Sequence, residues 1–265
     1  MGEVIVVTSG KGGVGKTTTT ANLGVGLAMQ NKKVVLIDAD IGLRNLDVVM
    51  GLENRIVYDL VDVVEGNCRT KQALIRDKRY ENLFLLPAAQ TRDKNAVSPE
   101  QMKKLCDELK EEYDYILVDC PAGIEQGFRN AIAGADQAII VTTPEVSAVR
   151  DADRIIGLLE AAELEESRLL INRLRPEMVK RGDMMNIDDI LEILAIELVG
   201  VIPDDERIIV STNRGEPVVA DSNSLAGQAY RNVVQRILGE AVTFLDLNQN
   251  HSFFSRLKRL IGFGG

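Results

Sequence analysis

A glycine-rich segment near the start of the sequence has the residue types and the spacing of a phosphate-binding loop. Residues 10–17 are GKGGVGKT, which match the pattern G-x-x-x-x-G-K-[ST] between an apolar run and a helical pattern. Glycines there let backbone N–H groups turn toward phosphate oxygens, which side chains would obstruct. Lys16 is placed to reach the terminal phosphates, and the Thr17 hydroxyl is placed to ligate Mg²⁺. The residues predicted to surround the phosphates are Gly10, Lys11, Gly12, Gly13, Val14, Gly15, Lys16, Thr17 and Thr18.

Apolar runs and helical patterns alternate along the chain, as expected for helices that connect the strands of a parallel sheet. The apolar runs are continuous, which is typical of strands covered by helices on both faces. The patterns predict strands at 3–8, 33–38, 82–86, 114–119, 137–142, 168–172 and 197–202, and helices near 16–30, 98–112, 147–163 and 224–239. We therefore predict an α/β fold with a doubly wound, mostly parallel sheet that binds its ligand at the carboxyl ends of the strands.

Aspartates at strand ends would place carboxylates at the edge that binds phosphate. Asp119 follows YILV and precedes CPAG, which fits a Walker B residue that holds Mg²⁺ directly or through water. Gly123 would offer a backbone N–H to the γ-phosphate. Asp38 and Asp40 follow VVLI, and the isoleucine and glycine after them indicate that the strand breaks there, so we expect the two carboxylates to diverge.

A second lysine in the loop, Lys11, is not required by the general pattern. It is badly placed for the phosphates of its own loop, so it points either to solvent or to a nucleotide bound by another copy. The form KGGVGKT resembles the deviant Walker A class of P-loop ATPases, a SIMIBI-type family that includes ParA and the nitrogenase iron protein. In that family the early lysine crosses a dimer interface, so the resemblance implies a homodimer in which Lys11 reaches the partner's phosphates.

The resemblance is especially close to the septum-placing members of that family and covers nearly the whole chain. Matching stretches include VVTSGKGGVGKTT, DADIGLRNLDVVMGLENRIVYDLVDVV, LLPAAQTRDK, DCPAGIE, TTPEVSAVRDADRIIGLLE and NRGEPV. The resemblance implies that Asp38 assists Mg²⁺ through water and that Asp40 orients or deprotonates the hydrolytic water, with Lys11 and Lys16 completing the catalytic set. Because phosphoryl transfer chiefly needs a positioned water, Asp40 is physically adequate; a helix cap or a solvated loop residue is the alternative.

The base preference rests on the resemblance and on one missing signature. The N-K-x-D pattern of guanine-specific domains does not occur in the sequence. In the resembled family, positions like Asn172 and the segment with Pro203 and Asp204 frame adenine, which favours ATP over GTP. A role for Asn172 as a strand-end turn residue is the alternative.

The composition is that of one α/β domain without a disulfide framework. A chain of 265 residues with 45% hydrophobic content can bury a full core as a single domain. No run reaches the about 18 apolar residues of a membrane span, and the first strand leaves no room for a signal peptide, so we expect a cytoplasmic protein. Cys68, Cys106 and Cys120 are expected as small core residues, and the single histidine, His251, argues against a histidine-based site.

The last segment, SFFSRLKRLIGFGG, has an amphipathic basic pattern. At about 100° per residue its large apolar side chains share one side and its cations the other, which suits a helix lying in a membrane interface; packing on the domain is the alternative. We predict an ATPase domain over 1–239, a tether over 240–251 and a membrane-targeting helix over 252–265. The predicted membrane contacts, with anionic lipid, are Phe253, Phe254, Arg256, Leu257, Lys258, Arg259, Leu260 and Ile261.

These features together predict a membrane cycle that is controlled by nucleotide. One short helix binds membranes weakly, whereas two helices tethered in an ATP-dependent dimer gain about 10²–10⁴ in avidity. The resemblance implies recruitment of the septum inhibitor MinC, stimulation by MinE where the organism has it, and release from the membrane on hydrolysis. Asp151 and Asp153 lie where family members present a helix to such partners; a solvated helix face is the alternative.

Two other protein classes share the loop and predict different surfaces. A DNA-partitioning ATPase of the ParA type would need a basic face. The net charge is −9, and because residues 251–265 hold three cations and no acid, the first 250 residues carry −9 − 3 = −12. DNA binding by this acidic body is not expected. An iron–sulfur carrier ATPase would need paired cysteines such as C-x-x-C, which the sequence lacks.

Overall fold

The structure is a computed structural model that describes residues 2–93, 95–164 and 166–247. Its strands are β1 Glu3–Thr8, β2 Val34–Asp38, β3 Ile75–Arg76, β4 Leu83–Leu86, β5 Tyr115–Asp119, β6 Gln137–Thr142, β7 Ser167–Leu174 and β8 Glu197–Pro203. Its α-helices are α1 Lys16–Met29, α2 Leu46–Met50, α3 Leu60–Val64, α4 Thr70–Ala73, α5 Pro99–Lys110, α6 Gln126–Ile132, α7 Val146–Ala161, α8 Pro176–Arg181, α9 Ile187–Leu194, α10 Glu206–Asn213 and α11 Leu225–Ile237.

The eight strands found in the described residues form one sheet in the order β3-β4-β2-β5-β1-β6-β7-β8. All neighbouring strands run parallel except β3, which pairs antiparallel with β4 at one edge. From β1 the chain winds to one side through β2 and β4, returns at β5, and then winds to the other side through β6, β7 and β8. Parallel sheets of this kind bind ligands where the strand order reverses, at the carboxyl ends of the central strands.

Helices cover both faces of the sheet, which explains why the strand sequences are continuously apolar. One core lies between the sheet and helices α3, α5, α6, α7 and α9, and the other lies between the sheet and helices α1, α2 and α11. All five residues of β2 are buried, because side chains on both sides of the strand meet helices. Each large apolar side chain buried in this way contributes about 1.5–3 kcal/mol to folding.

The register of the central strands aligns the residues that end them. Val7 of β1 and Asp38 of β2 both pair with Asp119 of β5, from opposite sides. The phosphate loop begins directly after β1. The backbone pairing of the sheet therefore brings the loop and two strand-end carboxylates to the same edge.

The predicted fold class is confirmed, and so are all seven predicted strands and the four predicted long helices. The patterns missed β3, which has only two residues, and the short helices, which span too few turns to show a periodicity. Cys106 and Cys120 are buried as expected, but Cys68 is only partly buried at the margin of the core. Within the described ranges, no helix combines the length and the apolar character that crossing a bilayer requires.

Candidate nucleotide and metal site

The phosphate loop connects the end of β1 to the start of α1. Gly13 and Gly15 have φ angles of 78° and 100°, in the left-handed region that favours glycine. Packing at Gly15 is also tight, because a Cβ there would lie 2.3 Å from Asn172 Nδ2. No side chain caps the start of α1, so its first N–H groups can donate to phosphate oxygens. Thr18, in the first turn, is half-buried, and its carbonyl accepts a hydrogen bond within the helix.

The two lysines of the loop occupy different environments. Lys16 is buried, and its Nζ donates to Ser9 Oγ at 3.0 Å. The Lys11 side chain is 42% exposed, and its Nζ lies 3.4 Å from Glu145 Oε2 and 3.3 Å from Ser147 Oγ. Lys16 therefore lies within the site that its own loop forms, whereas Lys11 lies at the protein surface.

Asp119, at the end of β5, is linked to the first turns of α1. Its carboxylate accepts hydrogen bonds from the hydroxyls of Thr17 and Thr20, the second at 3.2 Å. Burial raises the pKa of Asp119 to about 6, while the bond from Thr17 and the charge of Lys16 act in the opposite direction. The carboxylate is thus held next to the threonine that the sequence predicts as a Mg²⁺ ligand.

Asp38 is fully buried beside Asp119 and organises the chain that follows β2. Its Oδ1 accepts a hydrogen bond from Asp40 N at 3.0 Å, and its Oδ2 accepts from Asn45 N and Leu46 N, each at 3.2 Å. The side chain therefore holds both the loop after β2 and the start of α2. Burial, and next the charge of Asp119, raise the pKa of Asp38 to about 8.

Asp38, Asp119 and Thr17 fit a Mg²⁺ site by their chemistry. Two buried carboxylates that repel each other gain from a cation between them, and carboxylate and hydroxyl oxygens are ligands that Mg²⁺ accepts. No three histidine, cysteine or acidic side chains among the described residues form a metal cage by themselves. Mg²⁺ bound through one or two carboxylates takes its remaining ligands from phosphates and water.

Asp40 lies half-exposed at the mouth of this acidic group, after the chain has turned away from β2. Its charge raises the pKa of both Asp38 and Asp119, so it lies within electrostatic reach of them. A cavity of about 20 Å³ lies between Asp40 and residues 121–128, which is room for about one water molecule. Gly123 belongs to that second segment and has a φ of 95°. The predicted break of the strand after Asp38 is confirmed.

The residues predicted to frame a base lie at the ends of β7 and β8. Asn172 is buried, its Nδ2 donates to Val14 O at 2.7 Å, and its Oδ1 accepts from the next backbone N–H at 2.9 Å. Pro203 is buried at the end of β8, whereas Asp204 is exposed and forms an ion pair with Arg175. Asn172 therefore supports the phosphate loop from below, and its contact with a base stays a prediction.

The predicted partner residues lie on α7, next to the phosphate loop. A Cβ on Gly10 would lie 2.4 Å from Asp151 O, so only glycine at position 10 lets the helix approach this closely. Asp151 is partly buried by this contact, and Asp153 is exposed. A change in the loop on nucleotide binding would therefore be felt directly by α7.

Several polar residues of the site were missed by the sequence analysis. Ser9 and Thr20 flank the loop and bind Lys16 and Asp119, and the runs of hydroxyl residues directly before and after the glycine-rich segment were the available signal. Glu145 and Ser147 reach Lys11 from the start of α7, 134 and 136 positions along the chain, and no local pattern predicts such pairing.

The predicted membrane contacts, from Phe253 to Ile261, lie outside the described residues. The described part of the predicted tether is in contact with the domain. Leu245 packs against the core beneath α1 and α11, and Leu247 packs against the core on the other face of the sheet. Residues 242–247, which we call the strap, therefore cross the outer edge of the sheet beside β8.

Comparisons with known proteins agree with this geometry. A family model described as an AAA domain matches residues 2–171. The septum site-determining protein MinD of Bacillus subtilis is 60% identical over 265 residues, which is 99% of this chain and 99% of that protein.

Two solved structures illustrate the similarity in three dimensions. The MinC:MinD cell division protein complex of Aquifex aeolicus contains a chain with a TM-score of 0.86 and 52% identity, covering 91% of this chain and 98% of that one. The septum site-determining protein MinD of Pyrococcus horikoshii, complexed with Mg-ADP, has a TM-score of 0.81 and 30% identity, covering 89% and 96%.

Proposed function

This chain belongs to the MinD family of septum site-determining ATPases, and we propose that ATP joins two copies of it into a homodimer on the inner face of the cytoplasmic membrane. The dimer recruits the division inhibitor MinC and so controls where the septum forms. The protein is thus a peripheral membrane protein while ATP is bound. Hydrolysis separates the two copies and releases them into the cytoplasm. Where the organism has MinE, that protein stimulates the hydrolysis.

The observation that carries the proposal is the contrast between the two lysines of the phosphate loop. Lys16 is buried within the site, while Lys11 lies at the surface, where it pairs with the exposed side chains of Glu145 and Ser147. An exposed ion pair is worth at most about 1 kcal/mol, so Lys11 can leave Glu145 for a stronger partner at little cost. The phosphates of a nucleotide bound by a second copy are such a partner.

The chemistry assigned to the site is hydrolysis of the γ-phosphate of ATP. Thr17 and Asp119 would ligate Mg²⁺ and Asp38 would assist through water, and the ion would supply charge neutralisation at the phosphates. Lys16 binds the same phosphates from within the loop. Asp40 holds the attacking water in the small cavity beside it, and positioning of this kind is the main requirement of phosphoryl transfer.

Recruitment of MinC is assigned to the exposed side of α7. The Aquifex relative assembles with MinC, and its similarity to this protein covers 91% of this chain. Asp153 is exposed on α7, and Asp151 touches the phosphate loop at Gly10. A surface that rests on the nucleotide loop is a suitable place for a partner that must recognise one nucleotide state.

Membrane attachment is assigned to residues 252–265 from their sequence. Three cations and the large apolar side chains of this segment suit an anionic interface, but one such segment supplies only about five inserting side chains. Two segments joined in a dimer act together, with a gain of about 10²–10⁴ in avidity. ATP thereby controls membrane binding through the dimer and not through the lipid contact itself.

One experiment tests these assignments together: co-sedimentation of the full-length protein with anionic vesicles under ATP, ADP and no nucleotide. We expect sedimentation with ATP and little without it, and the deletion of residues 252–265 should remove sedimentation while sparing ATP hydrolysis. Sedimentation that is equal in all three nucleotide states would refute control by nucleotide. Sedimentation that survives the deletion would show that another surface binds the lipid.

A further inference from the structure

Arg79 joins the ends of two helices that are far apart in the sequence. Its Nη2 donates to the carbonyl of Met50, the last residue of α2, at 3.2 Å. Its Nη1 donates to the carbonyl of Gly215, just beyond α10, at 2.8 Å. Carbonyls in the last turn of a helix lack partners within it, so the guanidinium satisfies one such carbonyl of α2 and also binds a carbonyl of the turn that follows α10.

Asp77 fixes the orientation of this guanidinium. The Asp77 side chain is fully buried and forms an ion pair with Arg79 at 3.2 Å, and it also accepts hydrogen bonds from the backbone N–H groups of Arg79 and Tyr80 at 2.7 and 3.1 Å. The planar guanidinium thus meets a carboxylate on one side and two carbonyls on the other, a set of bonds that a single ammonium group cannot reproduce.

The two helix ends are also in direct contact. Gly51 and Gly215 follow α2 and α10 with φ angles of 66° and 65°, and a Cβ on Gly215 would lie 2.5 Å from Gly51 Cα. Backbone packs against backbone at this junction, so a displacement of one helix end is transmitted to the other and is not absorbed by a side chain.

The opposite ends of the same helices reach the two halves of the candidate site. The start of α2 is held by Asp38, whose Oδ2 accepts from Asn45 N and Leu46 N. The start of α10 follows Pro203 and is capped by Asp205, which accepts from Arg207 N at 2.9 Å and Ser224 Oγ at 2.7 Å. A continuous series of bonds therefore connects the metal side to the base side through Arg79.

We propose that Arg79 is a positioning residue that couples occupation of the base side of the nucleotide site to the order of α2 on its metal side. The proposal rests on the function proposed above, in which Asp38 assists the metal, and on the prediction that the segment with Pro203 frames the base. It predicts that a nucleotide with a base orders α2 more than its phosphates do alone, even when no metal is present, and that this difference depends on Arg79.

Amide hydrogen exchange of the full-length protein with a metal chelator tests this coupling. The ligands are ADP and pyrophosphate, which share the phosphate loop but differ in the base, and neither drives the ATP-dependent dimer. In the wild type we expect ADP to protect the amides of residues 46–50 about fivefold more than pyrophosphate does. In Arg79→Lys this ratio should fall below about twofold, while ADP still protects α10.

Two further variants separate coupling from simple loosening. Lys78→Met is the matched control, because Lys78 is an exposed neighbouring cation that donates to Gly51 O on the α2 side, and it should keep the wild-type ratio. The double variant Arg79→Gln with Asp77→Asn removes the guanidinium without leaving a buried charge. Its ratio of protection by ADP to protection by pyrophosphate should fall as it does in Arg79→Lys.

The outcomes are distinct. A merely structural role for Arg79 would lower the protection of α2 by the same factor with ADP, with pyrophosphate and without ligand, leave the ratio unchanged and overturn the proposal. The proposal would also be overturned if, in the wild type, ADP protected α10 more than pyrophosphate does but protected α2 no more than pyrophosphate does. A wild type that binds no ADP at all would overturn the proposed function and the coupling with it.

Discussion

Asp38 and Asp119 end neighbouring parallel strands in register, so two buried carboxylates stand side by side beneath the phosphate loop. Burial raises the pKa of each, and the charge of Asp119 raises that of Asp38 further. Such a pair loses its protons in two steps that belong to both groups. With steps near pH 6 and pH 8, the metal-free pair holds about one proton at neutral pH.

Binding of Mg·ADP should therefore release a proton from the protein. A divalent cation beside the pair favours two charged carboxylates, so we expect most of one proton to be released near pH 7.5 and almost none near pH 9. Calorimetry in buffers with different ionisation enthalpies measures this number. The same titration without protein supplies the correction for the nucleotide, and a release that stays constant over this pH range would contradict the assignment.

The same pKa shift has a consequence for the stability of the metal-free protein. The folded pKa of Asp38, about 8, lies above the ordinary value of 3.8. The stability linked to this group is therefore complete below the ordinary value and is lost as the pH rises through about 8. Saturating Mg·ADP should reduce this loss between neutral pH and pH 8, which chemical denaturation at several pH values can measure.

Replacement of Asp40 should separate binding from hydrolysis. In Asp40→Ala the buried carboxylates and the phosphate loop remain, so ATP binding and dimerisation should persist. Loss of the carboxylate that we propose positions the water should slow turnover by about 10²-fold. Single-turnover hydrolysis together with nucleotide affinity measures both. Asp153→Ala, an exposed acid on α7, should leave turnover unchanged. Normal turnover in Asp40→Ala would remove its assigned role.

The fold, and the meeting of the loop with the two strand-end carboxylates, were predictable because they depend on local patterns. Continuous apolar strands, each followed by a polar turn, fix a parallel sheet, and the loop motif fixes where phosphates lie. The partners of Lys11 were not predictable, since Glu145 and Ser147 reach it only after β6 is placed next to β1.

The junction at Arg79 shows the same limit more clearly. Asp77, Arg79 and Tyr80 lie in a short turn without any motif. The carbonyls that Arg79 binds lie at the end of α2 and just beyond α10, helices of five and eight residues. Helices this short show no reliable periodicity and are stabilised by packing and capping more than by propensity. The contact between the ends of these helices, at Gly51 and Gly215, can be recognised only in the three-dimensional structure.

The two lysines of the loop should give different defects. Lys16→Ala removes a buried charge from the phosphate site, so it should abolish ATP binding and, with it, vesicle binding that depends on nucleotide. Lys11→Ala should keep most of the ATP affinity but lose the ATP-dependent dimer, which light scattering detects. A dimer that still forms in Lys11→Ala would show that this lysine does not act across the interface.

The strap should influence how well two tails act together. Arg236 of α11 donates to Val199 O in β8 and to Val242 O in the strap, each at 3.0 Å, and its guanidinium lies 3.9 Å from the centre of the Phe244 ring. These contacts, with those of Leu245 and Leu247, hold residues 242–247 against the domain, so under the proposed function the tether predicted over 240–251 would be shorter than its sequence suggests. A shorter tether raises the effective concentration of the second tail once the first is bound.

Replacement of Arg236 by methionine should therefore loosen the strap and weaken membrane binding without touching the nucleotide site. We expect the free energy that protects the amides of residues 242–247 from exchange to fall by about 1–2 kcal/mol, so these amides exchange faster. The ATP-dependent affinity for anionic vesicles should become severalfold weaker. Arg231→Met is the matched control, because Arg231 lies on the same helix but binds the carbonyls of Val219 and Asp221. If Arg236→Met loosens the strap and yet binds vesicles as the wild type does, then the length of the free tether does not limit the avidity.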